Sequence, residues 1–402
     1  MARREIRQQL ALSHASPCLK AWQSEEAFRR LHARAQDLAA HPPAPVAEFL
    51  DGAPAPAPLP AAQRDFGAQP LVWLGMGGAS LGAQVLAAFQ EPSRRTVFTE
   101  SLDEAALTAL LAERAPRRFV AVSKSGETAE TLVQLAYVLG ALKRQRRAAR
   151  THVLGVAAAG EHALSRIAAA ADFPLLEHGA VSGRFSVAGA LGAWAAHWFG
   201  LERAALRRGL AAGLARRKEA ALGASQLVYA MQQGMPMHVL FAFAPQFEVL
   251  TRWYRQLWGE SLGKAGQGST PVAALAPGDM HSQWQLYLAG PRDKFVTLLG
   301  RAESDTKTHA PARLPAGPDW LAGLSWQALV RSQGAVAEEE LCAAKRPVRR
   351  MTLSWRLDAV AEWMGYMMLE TCLSACLLNL DPFNQPAVES GKTRMRHLRQ
   401  GA

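Results

Sequence analysis

Continuous apolar runs alternate with amphipathic stretches along most of this chain. LVWLG (71–75), TVFTE (96–100), FVAVS (119–123) and HVLGVA (152–157) are separated by helix-period segments starting near Leu81 and covering 103–114, 127–148 and 161–171. A second series holds MHVLFAF (237–243), TPVAALA (270–276), KFVTLLG (294–300) and RRMTLSW (349–355), with a helix running through Trp258 and another near 318–345. Strands that are apolar throughout, rather than at every second position, are covered on both faces, and their alternation with helices predicts parallel sheets. Residues 1–40 and 186–224 read as helical, and the Pro/Ala-rich stretch 41–63 as an extended connector. A long helix over 356–380 breaks at DPFNQP, and a last helix follows. The expected fold class is α/β: two three-layer αβα sandwiches at 64–200 and 201–402, after a helical segment and connector at 1–63.

Composition narrows the partners. The chain has 402 residues, more than one core ordinarily supports, and 49% of them are hydrophobic, enough to fill two. The apolar stretch from Val360 to Leu380 is interrupted by Glu362 and Glu370, which predicts a core helix and no membrane contact. The basic start lacks the apolar region of a signal peptide, and Cys18, Cys342, Cys372 and Cys376 fit neither a disulfide framework nor a zinc set, so a cytoplasmic location is expected. A net charge of +11 favours an anionic partner. The candidates are nucleic acid and a phosphorylated metabolite; the basic runs at 144–147 and 216–218 lie in helical patterns without interleaved exposed aromatics and read as solvated helix faces, which argues against nucleic acid.

Ligands of parallel sheets bind beyond the carboxyl ends of the strands, here the loops after 75, 123, 177 and 276. The first reads Gly75-Met76-Gly77-Gly78-Ala79-Ser80-Leu81-Gly82. It suits a tight strand–helix turn or an anion. Glu100 at the next strand end keeps a nucleotide in view, but the spacing is not GxGxxG. The second, Ser123-Lys124-Ser125-Gly126-Glu127-Thr128, puts three hydroxyls and a glycine at the start of a helix. One hydroxyl would suffice for capping; three, with free N–H groups and the positive helix end, suit a phosphate.

Four further segments carry titratable groups in loop settings: Arg184 in VSGRFSV, Glu260 in GESLGK, His281 in DMHSQ and Lys392 at the end of QPAVESGK. Singly, each reads as a surface charge or a structural histidine. The two strand-end loops together resemble the sugar isomerase (SIS) domain. The four segments, in this order, resemble the glucose-6-phosphate isomerase family from about Val72 to Lys392, most closely in VSGRFSV, GESLGK, DMHSQWQLYLAGPRDKF and DPFNQPAVESGK.

That resemblance implies two SIS-type sandwiches and an aldose–ketose isomerase acting on glucose 6-phosphate and fructose 6-phosphate through an enediol(ate), with no metal and no cofactor. Glu260 would be the base and Arg184 the stabiliser of the enediolate charge. His281 and Lys392 would assist ring opening, His281 from the second subunit of a homodimer. Ser123, Lys124, Ser125 and Thr128 would hold the phosphate beside Gly78, Ala79 and Ser80, with Gly77 and Gln385 lining the sugar. Departures from the family pattern are Ala79 followed by Ser80 where a serine is usual, Glu127 in place of a threonine, Met280 for glutamine, and FNQP for FDQP. Other readings keep the fold but widen the substrate to mannose 6-phosphate, or make the protein a non-catalytic phosphosugar binder.

Overall fold

A computed structural model gives the structure of the chain and describes residues 10–13, 16–54, 58–101, 103–113, 117–302, 318–321, 323–388 and 394. Among these are ten strands: β1 (Leu10–Ser13), β2 (Leu71–Leu74), β3 (Val97–Phe98), β4 (Arg118–Val122), β5 (Val153–Ala157), β6 (Leu175–Glu177), β7 (Met237–Ala242), β8 (Thr270–Leu275), β9 (Lys294–Arg301) and β10 (Val348–Leu353). The chain divides into two compact units, 48–210 and 1–47 with 211–402.

In the 48–210 unit the sheet order is β3-β2-β4-β5-β6, with every pair parallel. Side chains of one strand point alternately to the two faces, and both faces of β2 are buried for that reason. Val72 and Leu74 join a cluster with Leu135, Val138 and Leu142 of the helix Ala129–Arg144. Trp73 points the other way, its ring 6.3 Å from Trp198 and 5.9 Å from Phe199. Burial of the Leu135–Val138–Leu142 stripe holds the 129–144 helix, because a sixteen-residue helix alone in water is marginal.

The other unit repeats the plan with one change. Its sheet order is β1-β10-β9-β7-β8; β7 to β10 run parallel and β1 lies antiparallel on β10. Val239, Phe241 and Phe243 face Tyr287, Ala337 and Leu341. On the opposite face His238 meets Tyr254 and Trp258 of the helix Glu248–Leu262. The helix Leu357–Leu377 is buried almost all round, and its three acids are paired: Glu370 with Arg349 at 2.6 and 2.8 Å, Glu362 with Arg216 at 2.7 Å, and Asp358 in the first turn with Arg356 at 2.8 Å. Among the described residues no helix is long and apolar enough to cross a membrane.

Two mainly parallel five-stranded sheets fit the expected fold class. Two local expectations need correction. Residues 10–13, read as helical, form β1, because pairing with β10 and burial of Leu10 outweigh helix propensity. Within the stretch read as an extended connector, Ala44–Gly52 is a helix that buries Val46 and Phe49. Pro43 and Pro45 sit at its start, where the missing N–H costs nothing, and the Pro43 carbonyl accepts from Val46 and Ala47, both at 2.9 Å.

Candidate active site

In the 48–210 unit, β2 has β3 on one side and β4 on the other, so chain connections leave β2 and β4 in opposite directions. That is the switch point of an open parallel sheet. The loops after these two strands are the glycine loop and the Ser123–Thr128 turn.

The turn is tightly organised. Ser123 is buried; its hydroxyl lies 2.8 Å from that of Thr128 and accepts from the Thr128 N–H at 3.3 Å. The Ser125 hydroxyl accepts from the Glu127 N–H at 3.2 Å and is exposed. Lys124 donates to the carbonyl of Ala180 at 2.7 Å, tying the turn to the segment that leads into Arg184. Burial, and then the charge of Arg184, hold the Lys124 ammonium below its ordinary pKa. Arg184 is only 2% exposed and its guanidinium lies over the Phe185 ring. Two cations that repel one another relieve that cost when an anion joins them. Behind them His178, at the end of β6, is held below the ordinary imidazole range by burial, with the Lys124 charge acting the same way.

The glycine loop supplies shape more than hydroxyls. Ala79 and Ser80 use their N–H groups to close the turn onto Met76 and Gly77, at 3.0 and 2.9 Å. Ser80, which follows Ala79 where the family has a serine, faces inward: it is 0% exposed and accepts from Gln84 at 2.8 Å. Gly78 abuts Gly183, and its carbonyl accepts from the Ser186 hydroxyl at 2.9 Å. Ser123, Lys124, Ser125, Thr128, Gly77, Gly78 and Arg184 therefore gather beyond the carboxyl ends of the strands.

The remaining candidates lie in the other unit. Glu260 sits in the last turn of the helix Glu248–Leu262, where Gln256 donates to its carboxylate at 2.9 Å. Sequence reading passed over Gln256, although four-residue spacing on one helix face was a usable signal. Beyond the helix, Lys264 donates to the Asp381 carbonyl and Gln267 to that of Leu378 at 3.3 Å, which joins the GESLGK segment to the one carrying Gln385. His281 is exposed on the short helix Gly278–Ser282 after β8. Asp279 anchors that turn, accepting from the Leu275 N–H at 2.7 Å, Gln283 at 2.9 Å and Ser282 at 3.0 Å. Burial raises the Asp279 pKa, but these bonds outweigh it and hold the group below its ordinary value. Lys392 lies outside the described residues.

A parallel sheet of this order, with a hydroxyl-rich turn and two cations gathered at its switch point, is laid out as the binding site of a small anionic ligand such as a phosphate ester. No family model matches the chain. A glucose-6-phosphate isomerase of Rubrobacter xylanophilus is 33% identical over 368 residues, covering 84% of each chain. A probable glucose-6-phosphate isomerase of Natronomonas pharaonis is 35% identical over 351 residues, 84% of this chain and 80% of that one. The crystal structure of a Thermus thermophilus protein described as hypothetical matches 96% of this chain and 99% of its own, at a TM-score of 0.81 and 26% identity. The chain belongs to the glucose-6-phosphate isomerase family.

Proposed function

We infer that the protein interconverts glucose 6-phosphate and fructose 6-phosphate through an enediol(ate). The observation that carries this reading is the cluster of Ser123, Ser125, Thr128, Lys124 and Arg184 at the β2/β4 switch point, in a chain of this family. The hydroxyls and Lys124 hold the phosphate, with Gly77, Gly78 and Ala79 shaping the adjoining wall and Gln385 lining the sugar.

Isomerisation moves one proton between adjacent carbons. The Glu260 carboxylate takes it from C2 and returns it to C1, since a single base serves both steps when the intermediate stays in place. Arg184, which keeps its charge throughout, stabilises the developing oxyanion. His281 and Lys392 assist ring opening, and the exposed turn of His281 suits delivery from the second subunit of a homodimer. The cytoplasm is the proposed location, in keeping with four free thiols.

A coupled assay with fructose 6-phosphate tests the reading. Wild-type protein turns over, and Glu260→Gln loses about 10²–10⁴-fold in kcat; equal rates would remove Glu260 from the mechanism. Mannose 6-phosphate in parallel measures the width of the substrate range. Sedimentation showing a fully active monomer would overturn the shared His281.

A further inference from the structure

Glu127 belongs to the Ser123–Thr128 turn, yet its carboxylate reaches out of it. One oxygen accepts from the backbone N–H of Ala163 at 2.8 Å, the first residue of the helix Ala163–Ala171. The Gly126 carbonyl accepts from the next N–H, Leu164, at 3.0 Å. The other two donors are satisfied locally, His162 N–H by the Ser165 hydroxyl at 2.9 Å and Ser165 N–H by the His162 ring at 3.0 Å. All four backbone donors at this helix start therefore have partners, and the turn supplies two of them. The fit is close: a Cβ on Gly126, whose φ is +66°, would lie 2.0 Å from the His162 ring.

This arrangement answers an electrostatic difficulty. A carboxylate within a turn meant for a phosphate repels its ligand, unless a nearby positive group offsets it. The N-terminal end of a helix is such a group. The acid that departs from the family pattern is thereby turned into a strut.

We propose that Glu127 is a positioning residue for the phosphate of the substrate. By capping the 163–171 helix it fixes the backbone between Gly126 and Thr128, and with it the direction from which Ser125 and Thr128 meet the phosphate. The proposal rests on the reading of this turn as the phosphate site.

The test compares Glu127→Ala, Glu127→Gln, Ser165→Ala and Thr128→Ala. It measures kcat and KM for fructose 6-phosphate, the inhibition constant of inorganic phosphate, and Tm. Glu127→Ala is expected to raise KM and the phosphate constant about five- to tenfold while kcat stays within about twofold. Glu127→Gln keeps an oxygen acceptor and stays near wild type. Ser165→Ala weakens the same helix start, lowering Tm without moving either constant. Unchanged constants in Glu127→Ala, equal effects of Ser165→Ala, or failure of the glutamine to rescue would each overturn the proposal. Thr128→Ala separates the two layers: an unchanged phosphate constant there removes the phosphate site itself. Weakening in Thr128→Ala alone removes only the part given to Glu127.

Discussion

Gly78 and Gly183 meet backbone to backbone: a Cβ on Gly78 would lie 2.4 Å from the Gly183 carbonyl carbon and 2.6 Å from the Arg184 nitrogen. The loop after β2 and the turn that aims Arg184 thus share one wall, and only a residue without a side chain fits there. Gly78→Ala is expected to push that wall outward, costing about 1–3 kcal/mol of stability and about tenfold or more in kcat/KM. Gly52→Ala, with nothing within 4 Å of its Cβ, should alter neither. Thermal melts and steady-state rates of the two variants check this, and a fully active Gly78→Ala would contradict the shared wall.

Gln256 donates to the Glu260 carboxylate at 2.9 Å from one helical turn away. The bond fixes the direction of the carboxylate. Gln256→Leu should lower kcat by about tenfold, equal to about 1.4 kcal/mol, with little change in KM for fructose 6-phosphate. Steady-state rates check this, and an unchanged kcat would mean that the bond does not position the base.

Arg349 and Glu370 have fully buried side chains in bidentate contact, with Tyr366 donating to the same carboxylate at 2.6 Å. Gly223 passes so close that a Cβ on it would fall 1.8 Å from a Glu370 oxygen. Glu370→Gln leaves the arginine charge buried without its counter-charge and should cost about 3–5 kcal/mol. The paired replacement Arg349→Met with Glu370→Leu should cost less than that single change, because it removes both desolvation penalties together. Chemical denaturation of the two variants gives the comparison.

His238 is enclosed between the Thr297 hydroxyl at 2.8 Å and the Tyr254 hydroxyl at 2.9 Å. Burial, and then the Arg349 charge, hold its pKa well below the ordinary 6.5. Above about pH 6.5 the ring is neutral in both folded and unfolded chains and has no pH-dependent effect. Below it the unfolded chain gains a proton that the folded one refuses, so stability declines as pH falls towards the folded value. The slope approaches about 1.4 kcal/mol per pH unit, and the lowered His178 adds to it in the same sense. Urea denaturation at pH 7 and at pH 5.5 should show this loss, and His238→Asn should flatten it by about one proton's worth. An identical slope in the variant would contradict the assignment.

The parallel strands were legible because their cover on both faces leaves a continuous apolar run, and the Ser123–Thr128 turn because three hydroxyls exceed what capping asks for. The direction of Ser80 was not legible. Its hydroxyl could face a ligand or the interior, and only Gln84, one helical turn on, decides. The target of Glu127 was hidden for a related reason: the helix start that it caps belongs to a later crossover, beyond β5. In the 41–63 stretch the proline count masked a nine-residue helix, since prolines at a helix start read the same as prolines in a linker.

β1 has a partner at nearly the other end of the chain: Leu10 lies opposite Leu353. During synthesis from the amino end, the 48–210 unit is complete before any of β7 to β10 exists, while Leu10–Ser13 must wait for β10. Such late, distant pairing is the slow kind of strand closure and leaves an unpaired sheet edge open in the meantime. Among the described strands, β10 is therefore the one that releases β1 from waiting, which places the vulnerable moment for mispairing in the interval when β7 to β9 are made and β10 is not.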